Sequence, residues 1–286
     1  MTQEQWTVLK VLHWTTDYLR EKGMVNPRLE AEVLLAHILG VERIGLYLNY
    51  DKQLNDEERK AYREMIQRRT AWEPIAYILG DKEFWSLRFK VNSDCLIPRP
   101  ETEHLVNEAV RMSTHLRLPQ MILEIGTGCG VVAIVLAKEL TDANIVATDI
   151  SPCALTLAKM NAESHGVAER ITFIQGDLFS LEEATFCLIV SNPPYIPTEE
   201  ILRLAPEVRD YEPLIALDGG EDGMHFFREI AHGAPAYLVE KGWLILEIGN
   251  GQAPKVTGIL EDEGFTNIAL VPDYAGIKRV IRAQRV

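Results

Sequence analysis

Apolar positions change their period along the chain. Over residues 1–79 they recur at helical spacing. Leu9, Leu12, Thr16 and Leu19 step by three or four, as one face of a helix does, and Gly23 ends the run. Asn26-Pro27 offers an N-cap followed by proline at the first helical position. Leu29, Val33, Leu34 and Ile38 mark the next helical face, which Gly40 stops. A short segment follows at residues 43–50. Asn55, with Glu58 three residues on, reads as the capping box of a further helix. This stretch suits a substrate-docking helical domain or a bundle that only stabilises its neighbour.

The pattern changes at residues 80–97. Phe84, Trp85, Leu87, Phe89 and Val91 are strand-like and Ser86 falls in a short turn, which predicts a β-hairpin linker. Pro98 and Pro100 punctuate its end. Residues 98–286 alternate continuous apolar strands with amphipathic helices. Strands are predicted at 121–125, 144–149, 171–175, 186–191, 242–248, 267–271 and 278–283. Helices are predicted at 101–116, 131–140, 152–164, 222–239 and 252–263. Such alternation makes an α/β domain on a parallel sheet covered on both faces. The last two strands have a short connection and should pair antiparallel.

Composition narrows the function. Of 286 residues, 47% are hydrophobic and 25% charged, a balance that excludes disordered and low-complexity chains. The net charge is −13. Residues 1–80 hold 11 basic and 12 acidic side chains, and residues 81–286 hold 18 and 30. The acidity therefore sits in the α/β part, which argues against direct binding of nucleic acid. Cys95, Cys129, Cys153 and Cys187 form no C-x-x-C pair, so reduced thiols in a cytoplasmic protein, without a metal, are expected. The start MTQEQWTVLK lacks a basic and then apolar leader. No apolar stretch reaches the roughly 20 residues of a membrane helix, and no membrane partner is expected.

Three segments carry chemistry. Met121–Ile125 runs into Gly126-Thr127-Gly128-Cys129-Gly130. This is a strand, a glycine turn and then a helix, either a plain tight turn or a cradle for a ligand. Its G-x-G-x-G spacing differs from the G-x-G-x-x-G of dinucleotide binders and disfavours a nicotinamide oxidoreductase. Glu124 before the turn suits an ammonium group. Asp149 ends the next strand, where open sheets bind ligands; it reads as an acceptor for both ribose hydroxyls of an adenosine or as an N-cap. Asp177 follows the third strand and could take an adenine amino group.

The most specific segment is Ser191-Asn192-Pro193-Pro194-Tyr195, directly after the apolar strand. Two prolines fix the backbone and push the residues before them into extended conformations. The chain then leaves the sheet stiffly with Asn192 at the rim. The Asn192 side-chain carbonyl and the Pro193 main-chain carbonyl can accept from both hydrogens of one planar NH₂ group. Tyr195 offers an aromatic face to that group or to a sulfonium cation. The alternative is a proline turn without chemistry. Holding an amide nitrogen pyramidal beside an activated methyl group needs alignment more than a general base. The seven histidines form no triad, and none is nominated as catalytic.

Together the glycine turn, Asp149 and N-P-P-Y resemble class I S-adenosyl-L-methionine-dependent methyltransferases acting on planar amino nitrogens. Glu83-Phe84-Trp85, Ile97-Pro98-Arg99-Pro100-Glu101-Thr102-Glu103, Leu217–Gly223 and Glu247-Ile248-Gly249 extend the likeness to the HemK/PrmC family of protein N5-glutamine methyltransferases. The resemblance implies a Rossmann-like seven-stranded sheet with its last strand antiparallel, a small N-terminal helical bundle and a β-hairpin linker. It implies methyl transfer to the glutamine of the Gly-Gly-Gln motif in class-one peptide chain release factors, with S-adenosyl-L-homocysteine as product. Glu124, Gly126, Thr127, Gly128, Cys129, Gly130, Asp149, Asp177, Leu178 and Asn192 would then border the cofactor. Asn192, Pro193 and Tyr195 would carry the reaction. Pro194, Arg99 and Glu101 would join them around the substrate. Glu124 stands where the family often has Asp, and Leu178 where some members have an aromatic residue. The alternatives are a ribosomal-protein glutamine, a DNA or RNA amino group, or a non-catalytic adapter. A monomer is expected.

Overall fold

The computed structural model describes residues 6–114, 120–181 and 184–286. The last two residues of the helix predicted at 101–116 lie outside them. Contacts divide the chain into two compact units. One comprises Met1–Gly80 with Pro206–Tyr211, the other Asp81–Ala205 with Glu212–Val286.

The first unit is helical: α1 (Val8–Glu21), α2 (Pro27–Leu39), α3 (Arg43–Leu48), α4 (Asp56–Thr70) and α5 (Ile75–Leu79). Leu12, Leu19, Leu34 and Leu35 are fully buried in its core, each contributing about 1.5–3 kcal/mol. The capping box of α4 is formed in both directions, each bond 2.8 Å long. Two expectations for α2 need correction. Asn26 occupies the N-cap position, but its side chain makes no capping bond. The buried face is also rotated, with Leu29 exposed and Glu30 and Glu32 inside. Arginines explain this: Arg69 of α4 binds Glu30 and Arg43 of α3 binds Glu32, both at 2.8 Å. Paired carboxylates can occupy a face that a purely apolar pattern would not assign to them.

The second unit opens with the hairpin β1 (Asp81–Phe84) and β2 (Leu87–Lys90), paired antiparallel. Trp85 lies in the turn rather than in a strand. Trp85 and Ser86 have φ of 54° and 57°, the backbone of a two-residue turn that usually takes Asn-Gly. The Trp85 N–H donates to Glu103 Oε1 at 3.0 Å and its indole Nε1 to Glu139 Oε1 at 2.8 Å. These bonds hold a conformation that the residues disfavour.

Then follow α6 (Thr102–Ser113), β3 (Gln120–Ile125), α7 (Val131–Glu139), β4 (Ala143–Asp149), α8 (Pro152–Ser164), β5 (Ile171–Gln175), β6 (Phe186–Ser191), α9 (His225–Tyr237), β7 (Leu238–Glu247), α10 (Ala253–Asp262), β8 (Thr266–Pro272) and β9 (Lys278–Gln284). The seven-stranded sheet has the order β5-β4-β3-β6-β7-β9-β8, and β9 alone runs antiparallel to its neighbours. The chain winds outward from β3 to β5 and returns to β6 beside β3. Strand order reverses there, so the loops after β3 and β6 diverge and open a crevice. Leu123 and Ile125 enter the core formed with α9 and α10. Glu124, between them, faces α7, as the two-residue period of a strand requires.

Two boundaries differ from the sequence pattern. The helix expected from residue 222 begins at His225. Gly223 has φ 72°, and Asp222 Oδ1 accepts from the Met224 N–H, so these residues form the preceding turn. Strand β7 begins at Leu238 rather than 242. Its register shifts opposite Phe186 and Leu188, and Lys241 has φ 61°, so an irregular first half is still paired.

Candidate active site

The first wall of the crevice is the turn after β3. The N–H groups of Gly126 and Thr127 both donate to Thr148 O at 2.9 Å. The Gly128 N–H donates to Asp149 Oδ2 at 2.8 Å, and the Ser151 N–H to Asp149 Oδ1 at 2.9 Å. Ser151 itself caps α8, accepting from the Ala154 N–H at 3.2 Å. Asp149 therefore braces the glycine turn and leaves the capping to Ser151. Behind the turn, Glu124 Oε2 accepts from Thr127 Oγ1 at 2.6 Å and from the Ala133 N–H at 3.0 Å. Burial pushes the Glu124 carboxyl up to about 7 against these two bonds, and the Asp149 charge adds to the rise.

The second wall is the exit of β6. Ser191 Oγ donates to Ile125 O at 2.8 Å, tying the ends of the two strands together. Asn192 Nδ2 donates to Thr102 Oγ1 at 3.2 Å, so Oδ1 is the acceptor it keeps for a ligand. Pro193 is buried. The segment Leu217–Gly223 backs this exit closely: a Cβ on Gly219 would stand 2.7 Å from Tyr195 Cα, so only glycine fits there. Gln252 completes the brace. Its Nε2 donates to Tyr195 O at 2.7 Å while its Oε1 accepts from the Gly249 N–H at 2.8 Å. Burial pushes the Tyr195 phenol up to about 12, and Glu247 adds to it.

A cavity of about 290 Å³ lies between these walls, close to the lower end of the usual ligand-pocket range. Glu124, Gly126, Thr127, Gly128, Cys129 and Asp149 line one side. Asp177 and Leu178 follow beyond them, and Asn192, Pro193, Pro194 and Arg99 line the other side. Gly130, Glu101 and Tyr195 are not on its wall. Arg99 Nη2 is bound to Glu212 Oε1 at 2.6 Å. Four carboxylates, Asp94, Glu124, Asp149 and Asp177, face the cavity with this one neutralised arginine. The lining suits a cationic ligand and opposes a pyrophosphate.

Several supporting residues were not assigned from sequence. Asn161 of α8 is fully buried; its Nδ2 donates to Cys129 O at 2.8 Å and to Lys90 O at 3.0 Å, and its Oδ1 accepts from the Lys90 N–H. An asparagine inside a helix, where it is a poor helix former, was the only hint. Phe226 and Ile230 of α9 add apolar wall. Thr102, on the cavity lining beside Asn192, and the buried Glu247 lie in segments that carried the resemblance without a stated role.

The PrmC N-terminal domain family matches residues 10–80, and the methyltransferase small domain family matches residues 105–205. A release factor glutamine methyltransferase of Geobacter sulfurreducens is 50% identical over 279 residues, covering 97% of this chain and 96% of that protein. The chain belongs to the HemK/PrmC family of release factor glutamine methyltransferases. A second relative of that name, from Rhodopirellula baltica, is 41% identical and covers 98% of this chain and 97% of its own length. The crystal structure of a methyltransferase from Pyrococcus furiosus shares the fold, with a TM-score of 0.53 at 19% identity over 78% of this chain and 97% of that one. In this member the longer Glu124 arm ends on α7 and Thr127. Phe179, next to Leu178, turns into the core and stacks on Tyr237 at 4.9 Å.

Proposed function

We propose that this chain transfers the methyl group of S-adenosyl-L-methionine to the side-chain amide nitrogen N5 of the glutamine in the Gly-Gly-Gln motif of class-one peptide chain release factors. Near full-length relatives at 50% and 41% identity are named release factor glutamine methyltransferases. The observation that carries the reading to this site is Asn192. Its nitrogen is committed to Thr102 and its oxygen remains for the cavity, on a backbone stiffened by two prolines.

The donor set suits the cofactor. Glu124 and the glycine turn would hold its amino-acid end, Asp149 its ribose hydroxyls, and Asp177 and Leu178 its adenine. S-adenosyl-L-methionine supplies, when bound, a methyl group activated by a sulfonium. The chain's own task is to present the glutamine nitrogen. Asn192 Oδ1 and the Pro193 carbonyl accept from its two N–H groups, which favours a pyramidal nitrogen with an available lone pair. Alignment of this kind is worth about 7–11 kcal/mol in favourable cases. Pro194 and Arg99 border the slot. Glu101 and Tyr195 lie outside the cavity lining, and the Tyr195 carbonyl ties the turn to Gln252. We take the chain to act as a monomer in the cytoplasm, without direct contact to nucleic acid or membrane. Among the described residues no helix is long and apolar enough to cross a membrane.

Incubation with methyl-labelled S-adenosyl-L-methionine tests the reading, with a release factor, ribosomal proteins and DNA as parallel acceptors. Label should enter the release factor and vanish when its Gly-Gly-Gln glutamine is changed to alanine. Label on DNA or ribosomal protein alone would contradict it.

A further inference from the structure

An asparagine side chain is useful as an acceptor only if its oxygen faces the substrate. Turned round, its NH₂ would meet the substrate's NH₂, donor against donor. The groups behind Asn192 decide between the two. Thr102, 3% exposed, receives Asn192 Nδ2 at 3.2 Å, and its hydroxyl neighbours the carboxyl group of Glu247, itself 1% exposed. An ionised carboxylate can only accept. The Thr102 oxygen accepts from Asn192, which leaves its single hydrogen to point at the neighbouring carboxylate. Only the nitrogen of Asn192 can meet that oxygen. Glu247 Oε2 is buried without a hydrogen-bond partner among the described residues, an arrangement costly for stability and typical of functional groups.

We infer that Thr102 and Glu247 are positioning residues: ionised Glu247 orients the Thr102 hydroxyl, which in turn locks the Asn192 amide with its oxygen toward the substrate nitrogen. The inference rests on the glutamine-methylation reading for the identity of that nitrogen. The charged and titratable groups around Glu247 are Glu101 at the start of α6, Arg99 before it, Arg279 on β9, and Tyr195 after β6. Both arginines are already paired, Arg99 with Glu212 and Arg279 with Asp273. Burial holds the Glu247 proton up to about 7; Glu101 adds to this, while Thr102, Arg279 and Arg99 oppose it. Once protonated, Glu247 can donate to Thr102. The Thr102 hydrogen is then free to turn toward Asn192, and the amide loses its fixed sense.

Two measurements test the relay. The first needs no turnover: the side-chain amide resonance of Asn192, identified by its absence in Asn192→Ala, is followed against pH. It should move with a midpoint at about 7 in the wild type, stay flat in Glu247→Gln, shift in Thr102→Val and be restored in Thr102→Ser. A resonance insensitive to pH and to Thr102→Val overturns the relay. The second is kinetic. In Thr102→Val, kcat should fall about tenfold or more with KM for the release factor within about twofold, and Thr102→Ser should recover most of it. The wild-type kcat should rise with pH through the same midpoint, and Glu247→Gln should lack that limb. Equal kcat in Thr102→Val and wild type also overturns the relay. If the resonance behaves as described but the wild type methylates no release factor, the glutamine reading fails and the relay stands.

Discussion

The carboxylate of Asp149 is held by the turn it faces: its Oδ2 accepts from the main-chain N–H of Gly128 at 2.8 Å. One side chain thus sets the shape of the glycine turn and supplies a negative charge to the cavity. Asp149→Ala removes both effects, and Asp149→Asn removes the charge while keeping one acceptor. Hydrogen bonds to charged groups are worth about 1.5–3 kcal/mol. Binding of S-adenosyl-L-methionine, measured by calorimetry, should weaken by at least about tenfold in the alanine variant and by less in the asparagine variant. Unchanged affinity in Asp149→Ala would remove Asp149 from the binding site.

The glycines of that turn should separate into two kinds. All three have positive φ, so alanine strains each of them by about 1–2 kcal/mol. At Gly130 an added Cβ would also stand 3.1 Å from Ala158 Cβ and from Ile134 Cδ1. At Gly128 it would meet nothing within 4 Å, because it points into open space. Gly130→Ala should therefore lower the melting temperature more than Gly128→Ala. Gly128→Ala should weaken cofactor affinity more than its loss of stability explains. The reverse ranking in paired melting and binding experiments would show that the turn is not the cradle.

Buried Glu124 makes stability depend on pH in a defined direction. The folded chain keeps its proton up to about 7, whereas the unfolded chain releases it near 4.5. The folded state binds the extra proton between these values, so this contribution is complete below about 4.5 and is lost as pH rises through 7. A difference of this size corresponds to roughly 3 kcal/mol. Glu247 acts in the same sense. Urea unfolding at a series of pH values should show the wild type losing stability across this window and Glu124→Gln losing less. Parallel profiles would mean that Glu124 is ionised throughout.

What the sequence made legible follows the strength of its physical signals. Strands β3, β4 and β6 are mostly apolar runs that stop beside Gly126, at Asp149 and before Asn192-Pro193, so their positions could be read directly. The first half of β7, Leu238-Val239-Glu240-Lys241, mixes polar residues with an irregular register, and its pairing is a tertiary fact. Trp85 reads as a strand residue by type, but Glu103 and Glu139 hold it in a turn. Leu29 fits a helical apolar face that the paired Glu30 and Glu32 displace. At the site, backbone-shaping residues were visible because glycine and proline have few other uses. Asn161, Thr102 and Glu247 were not, since each acts through a partner far away in sequence. Tyr195, which the motif suggested as an aromatic face for the slot, packs against the core formed with α9 and α10 and is not part of the cavity lining.

The most direct test of the central claim is single-turnover methylation of a release factor by Asn192→Ala, with S-adenosyl-L-methionine affinity measured on the same protein. The expected result is unchanged cofactor affinity and a methyl-transfer rate lower by about a hundredfold, the effect of losing roughly 3 kcal/mol from one positioned polar contact. A rate near that of the wild type would contradict it.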